Sequence, residues 1–182
     1  MTERTTYLLV DGENIDATLG VSVLGRRPQP EERPRWNKLI HYSETAWNQP
    51  VKGLFFLAVT DSLPSSFVQA LIAMGYKAVP LRGEGKVVDI AIQRTAEALQ
   101  SRPADVMLVS HDKDFVSQME DLTATPDRRT AVIGFREFMA ADLQDIPGIE
   151  FHDLEYDVAA FTSRLPRVRI IDIEDFDPLE FI

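Results

Sequence analysis

Asp105-Val106-Met107-Leu108-Val109-Ser110-His111-Asp112-Lys113-Asp114-Phe115 decides how this chain is read. Residues 105–109 read as a short strand whose run from Val106 to Val109 is apolar throughout, the pattern of a strand buried on both faces. Directly after it, Asp112 and Asp114 stand two residues apart, where a strand would hand over to a helix. A second strand end of the same kind opens the chain at Val10-Asp11-Gly12-Glu13-Asn14, and a third acid, Asp89, follows Gly83-Glu84-Gly85-Lys86. Three element boundaries thus each deliver carboxylates, an arrangement whose common use is to hold a hard divalent cation.

The remaining sequence alternates between the same two kinds of segment. Tyr7–Val10, Leu54–Val59, Ala78–Leu81 and Ala131–Phe135 read as further buried strands. Between the strands, apolar residues recur near every 3.6 positions: Trp36, Leu39, Ile40, Ser43 and Trp47; then Phe67, Ala70, Leu71 and Met74; then Val88, Ala91, Ile92, Thr95 and Leu99; then Phe115, Met119 and Leu122. Strands alternating with helices imply right-handed crossovers and a parallel sheet covered on both faces. The expected fold is therefore α/β, a three-layer sandwich about a mostly parallel sheet. Ligands of such sheets bind beyond the carboxyl ends of the strands. If the strands ending at Asp11 and at Val109 are neighbours, Asp11, Asp112 and Asp114 share one crevice, and Asp89, at the start of the helix after the third strand, opens on the same edge. Clustered carboxylate oxygens suit Mg²⁺ or Mn²⁺.

Composition sets limits on partners. The chain has 182 residues, 45% hydrophobic and 26% charged, enough for one domain, and a net charge of −10 that opposes nonspecific polyanion binding. An RNA partner must then be met by bound metal or by a local basic patch. Cysteine is absent, which removes thiolate catalysis and Cys-based zinc sites. No apolar run reaches about 18 residues and Met1-Thr2-Glu3-Arg4 carries no leader pattern, so no membrane association and a cytoplasmic location are expected.

Asp11-Gly12-Glu13-Asn14-Ile15, Lys86-Val87-Val88-Asp89-Ile90 and Ser110-His111-Asp112-Lys113-Asp114-Phe115 together resemble, in order and spacing, the three motifs of the NYN domain family, whose fold is that of PIN-like nucleases. The resemblance covers roughly residues 5–153. It implies a central first strand and a metal-dependent ribonuclease centre in which Asp11, Asp89, Asp112 and Asp114 are the catalytic, metal-binding acids. It further implies that Asn14 orients the site and that Ser110 holds the loop or a carboxylate. Lys86 and Lys113 are expected to meet flanking phosphates of a single-stranded RNA. Two positions depart from the family pattern: His111 stands where members usually have glycine, and Thr95 stands where many carry a further acid.

Each of these residues also has a plain structural use. Asp112 suits a helix N-cap, Asp114 a first helical turn, and Asn14 an Asx turn. His111 reads as an exposed turn residue, and Trp36 and Trp47 as core. Residues 20–35 read as a long loop, with Arg26, Arg27, Arg33 and Arg35 as a solvated segment or an RNA grip. Residues 1–163 are expected to form the NYN, PIN-like domain. Residues 164–182 form a C-terminal extension in which Arg167–Ile171 adds an edge strand and the acidic tail docks a protein partner or a second copy. The rival to hydrolysis is a catalytically weak or inactive module that binds RNA or protein and regulates it. An aspartyl-phosphatase reading is weaker, because Glu13 stands where it wants a second Asp, and so is a receiver-type phosphoacceptor, because no Lys lies near residues 131–135.

Overall fold

The computed structural model describes residues 3–168 and 170–182. Six strands form one parallel sheet: β1 (Thr5–Asp11), β2 (Val51–Ala58), β3 (Tyr76–Leu81), β4 (Ala104–Val109), β5 (Thr130–Gly134) and β6 (Glu150–Asp153), in the order β3-β2-β1-β4-β5-β6. The order reverses between β1 and β4, the switch point at which an α/β sheet opens a crevice. Helices cover both faces: α1 (Gly12–Thr18), α2 (Trp36–Ala46), α3 (Ser65–Ala73), α4 (Val87–Leu99), α5 (Val116–Ala124) and the short α6 (Ala141–Gln144). The three-layer α/β expectation holds.

Alternation along the strands makes two cores. Leu8 and Val10 of β1, with Met107 and Val109 of β4 and Ile133 of β5, pack against α2 and the chain after β6. Leu9, Val106, Leu108 and Val132 face the other way, onto α4 and α5 through Val88, Ile92, Met119 and Leu122. Strand side chains alternate faces, so a central strand is buried at every position, as β4 is, and Asp105 is its one charged residue.

Beneath the amino ends of the strands, buried Asp105 ties the sheet to its surroundings. Its Oδ1 accepts from Arg4 Nη2 at 2.8 Å and from the Arg129 backbone N–H at 2.9 Å, and its Oδ2 accepts from Gln49 Nε2 at 2.8 Å. These bonds hold the carboxyl below the usual carboxylate range against the opposing effect of burial.

Three expectations are corrected. β6 is not anticipated, because Glu-Phe-His-Asp shows no apolar run; it is an edge strand, half-buried up to the buried Asp153. The segment after Gly20 is not an open loop: Leu19–Leu24 continue α1 as a π-helical turn and Pro30–Glu32 form a 3₁₀ turn. Three of its four arginines bind within the fold, and Arg27 is exposed. Arg26 binds Glu32 at 2.6 Å, Arg33 Nε stands 3.1 Å from Asp16 Oδ1, and Arg35 Nε donates to Thr162 Oγ1 at 2.9 Å.

The third correction concerns the C-terminal extension. Arg167, Val168, Ile170 and Ile171 form no strand; Arg169 lies outside the described residues. Arg167 instead folds back, its side chain 1% exposed, with Nη2 2.8 Å from both Asp153 Oδ2 and Glu137 Oε1 and the guanidinium 4.7 Å from the Tyr156 ring centre. Asp153 in turn accepts from the backbone N–H groups of Arg136, Glu155 and Tyr156. A charge buried this way is held because Asp153 and Glu137 neutralise it. Removing it leaves Asp153 and Glu137 uncompensated, so Arg167→Ala is expected to lower the unfolding free energy by about 3 kcal/mol. Urea denaturation of the variant beside wild type measures this.

Candidate metal centre at the carboxyl ends of β1 and β4

Register brings the motifs together. Val10 pairs with Val109, so Asp11 and Ser110 leave adjacent strands side by side. Ser110 Oγ, fully buried, donates to Asp11 Oδ2 at 3.0 Å, and Asp11 Oδ1 accepts from the Asn14 backbone N–H at 3.3 Å. The chain can turn into α1 at that point because residue 12 is glycine: a Cβ there would lie 2.5 Å from the Phe55 ring. Asp112 caps the turn at Lys113–Phe115, with Oδ1 accepting from the Asp114 N–H at 2.9 Å.

One carboxylate oxygen each from Asp89, Asp112 and Asp114 lie within 4.8 Å of one another, the three residues all half-buried. An octahedral Mg²⁺ or Mn²⁺ holds oxygens at about 2.1 Å, hence about 3 Å apart when adjacent and about 4.2 Å when opposite. Three oxygens within 4.8 Å of one another could close on such an ion, with positions left for water. Asp11 is not in this group. It lies deeper, 3% exposed, and burial pushes its carboxyl up to about 6, with the charges of Asp89 and Glu13 adding to the effect and the bonds from Ser110 and Asn14 opposing it. Asp89 is also raised, by burial first and by the charge of Asp112. Lys86 offsets part of this charge: its Nζ is 2.8 Å from Asp114 Oδ2 and 3.8 Å from Asp89 Oδ2. Lys113 is exposed on the turn between Asp112 and Asp114.

His111 is the residue that sequence reading misplaced. It is 6% exposed, its ring stacked 5.7 Å from that of Phe135. Nε2 accepts from the Phe135 backbone N–H at 2.7 Å, so the proton must sit on Nδ1, 2.9 Å from Asn14 Oδ1. The His111 backbone N–H reaches the same Asn14 oxygen at 2.9 Å. Gly134 makes room for the ring, since a Cβ there would meet His111 Nε2 at 2.6 Å. The imidazole thus stitches the acid loop to α1 and to the end of β5. The only signal in sequence was Gly134 at the end of a buried strand, which needs its neighbour in space to be understood.

Thr95 stands apart from the acids. Six residues past Asp89 is one and two-thirds helical turns, and Thr95 lines a different groove, beside Lys52, Lys77 and Arg102. The site-facing neighbour of Asp89 is Gln93, one turn on, whose Nε2 donates to the Asp114 carbonyl at 2.9 Å. Thr95 therefore does not take a ligand away from the Asp89, Asp112 and Asp114 group.

The NYN domain model matches residues 5–155. A solved structure from Vibrio parahaemolyticus RIMD 2210633, titled a protein of unknown function VPA0982, superposes with a TM-score of 0.69 at 18% identity, covering 85% of this chain and 95% of that one. That likeness is one of fold, and it is consistent with the PIN-like architecture. No curated protein matches. No helix among the described residues is long and apolar enough to cross a membrane.

Burial holds the His111 imidazole neutral, its pKa lowered to about 4, whereas an unfolded chain protonates near the ordinary 6.5. Between these values the unfolded state binds more protons, so this residue's contribution to stability is complete above pH 6.5 and is lost as pH falls toward 4, by up to about 1.4 kcal/mol per pH unit. A histidine NMR titration is expected to show the His111 ring shifts moving only near pH 4, with Nδ1 as the protonated nitrogen above it.

Proposed function

We propose, because the chain belongs to the NYN domain family and brings three acids to one sheet edge, that it is a ribonuclease hydrolysing phosphodiester bonds of single-stranded RNA with bound Mg²⁺ or Mn²⁺. The observation that carries this is the meeting of Asp89, Asp112 and Asp114 from two separate parts of the chain. Carboxylates this close repel one another unless a cation stands between them. The cation, when held, supplies Lewis acidity toward the phosphate and an activated water.

The chain's own groups divide the remaining work. Asp89, Asp112 and Asp114 would hold the ion and leave water positions open. Ser110 and Asn14 fix Asp11 beneath them, and Asp11 adds negative potential that favours cation over no cation. Gln93 and the Asp112 cap hold the Asp114 turn in place. Lys86, in contact with Asp114 and exposed at its tip, is positioned to leave the acids and meet a flanking phosphate once an ion takes its place; Lys113 lies on the same rim. A narrow acidic crevice with little basic surface accepts a single strand more readily than a duplex, whose two phosphate backbones both need cations. Apolar residues exposed along the extension, such as Ile173, Leu179 and Ile182, support reading that tail as a docking element for a second protein.

Gel-resolved cleavage of labelled single-stranded RNA with Mn²⁺, Mg²⁺ or EDTA tests the activity. Cleavage is expected with metal only, and Asp112→Asn is expected to reduce it by about a hundredfold or more. EDTA-resistant cleavage would overturn the reading, and a folded protein that cuts none of several RNAs would make it a binding module.

Lys86 gives a second test that needs no activity. Since its ammonium competes with the ion for Asp114 and Asp89, Lys86→Gln is expected to tighten Mn²⁺ binding by about two- to fivefold, a modest change because the pair is exposed. Isothermal titration of metal-stripped protein measures it.

A further inference from the structure

Next to the acids, on the β2 side of Asp11, lies a cavity of about 250 Å³ that the proposed hydrolysis leaves unused. Its base is the Phe55 ring. Phe55 meets Trp36 edge-on at 5.0 Å, Tyr76 at 5.9 Å and Phe67 at 5.5 Å. The first two rings are buried. Phe67 is 38% exposed, although helical spacing assigns it to the core face of α3; the buried residues of that helix are Val68 and Leu71. An aromatic ring is therefore left standing at the mouth of an aromatic-floored cavity.

The rim is polar and of mixed sign. Glu13 and Asp16 come from α1 and Arg33 from the segment before α2. Glu13 is fixed by the Ala58 backbone N–H, 3.3 Å from its Oε1. Arg33 Nε stands 3.1 Å from Asp16 Oδ1, yet it is shielded from solvent and makes no hydrogen bond. The cavity begins where β1 ends: Gly12 and Glu13, which line it, follow directly on Asp11.

These features select a ligand chemistry. Two carboxylates on the rim disfavour a phosphate inside. A purely aliphatic ligand would cover the Asp16–Arg33 pair without offering a hydrogen-bond partner to either, at a cost in binding. A flat heteroaromatic ring with both donors and acceptors on its edge satisfies the aromatic base and the rim together. Single-stranded RNA offers such rings one sugar away from every phosphate, and proteins take splayed bases by stacking on aromatic side chains and bonding their edges.

We infer that this cavity receives a nucleobase next to the scissile phosphate, and that it prefers guanine. Guanine presents the O6 acceptor beside the N1–H and N2–H donors on one edge, the complement of an arginine standing beside an aspartate. Uracil presents carbonyl oxygens on both sides of a single N–H, and these face Asp16 and Glu13 unfavourably. The inference rests on the RNA reading of the neighbouring centre, to which it adds a base preference at one position of the substrate.

The test uses neutral nucleosides, which carry no phosphate for the metal centre to hold. Saturation-transfer NMR and equilibrium dialysis would compare guanosine, adenosine, cytidine and uridine on the intact, metal-free protein. Guanosine is expected to bind at least about tenfold more tightly than uridine, and Phe67→Ala to weaken it by about tenfold or more. Asp16→Asn should abolish the preference for guanosine over uridine. Mn²⁺ titration of both variants should match wild type, showing the fold and the acids intact. Equal binding of all four nucleosides, or guanosine binding indifferent to Phe67→Ala, would overturn the pocket. Metal-dependent RNA cleavage without nucleoside selectivity removes the pocket and leaves the hydrolase; selectivity without cleavage does the reverse.

Discussion

Everything at the candidate site depends on the parallel pairing of β1 with β4, Val10 opposite Val109. A parallel ladder cannot slip by one residue without turning every side chain to the opposite face. Here both faces are buried against helices, the glycine after β1 lies against the Phe55 ring, and the serine after β4 bonds Asp11. The register therefore places Ser110 Oγ on Asp11 and starts the two following loops from the same edge. Burying Asp11 there works against stability, since its carboxyl is pushed up toward neutrality. The fold carries that cost at the position where a bound cation would relieve it, a trade common to functional sites.

His111 converts this shared edge into a rigid one. With one ring nitrogen on the Phe135 backbone and the other on Asn14, it joins β4, β5 and α1 through two hydrogen bonds that a glycine could not make. Phe135 also lies 5.4 Å from the Arg167 guanidinium, so the buried arginine of the C-terminal extension packs on the ring that stacks on His111. Residues beyond the matched family region thus support the site from behind. A boundary drawn at residue 163 separates Arg167 from Asp153 and Glu137, the acids that neutralise it.

Apolar alternation and acid placement together account for the site's asymmetry. On the β5 side the crevice is closed by His111 and Phe135, both buried. On the β2 side it opens onto aromatic surface at Phe55 and Phe67, bordered by Arg33 and Asp16. A strand of nucleic acid laid across the acids would meet cations at Lys86 and Lys113 and rings at Phe67.

The sequence by itself determined the α/β class, five of the six strands, and which acids belong to the edge, because hydrophobic period and strand-end carboxylates are local signals. It did not reveal β6, whose edge position relaxes the need for apolar residues, nor the turn structure after Gly20, where π-helical and 3₁₀ hydrogen bonds leave no periodic trace. Only the tertiary structure decided that Asp89 joins Asp112 and Asp114 while Asp11 sits below them, bonded to Ser110. It alone showed that His111 is buried, that Thr95 faces another groove, and that Arg167 is a core charge rather than a strand residue. The reason is common to all four. Exposure and partner choice for polar side chains depend on distances across the sheet, and residues such as Ser110 and Asp11, 99 positions apart in the chain, become neighbours only when β1 and β4 pair.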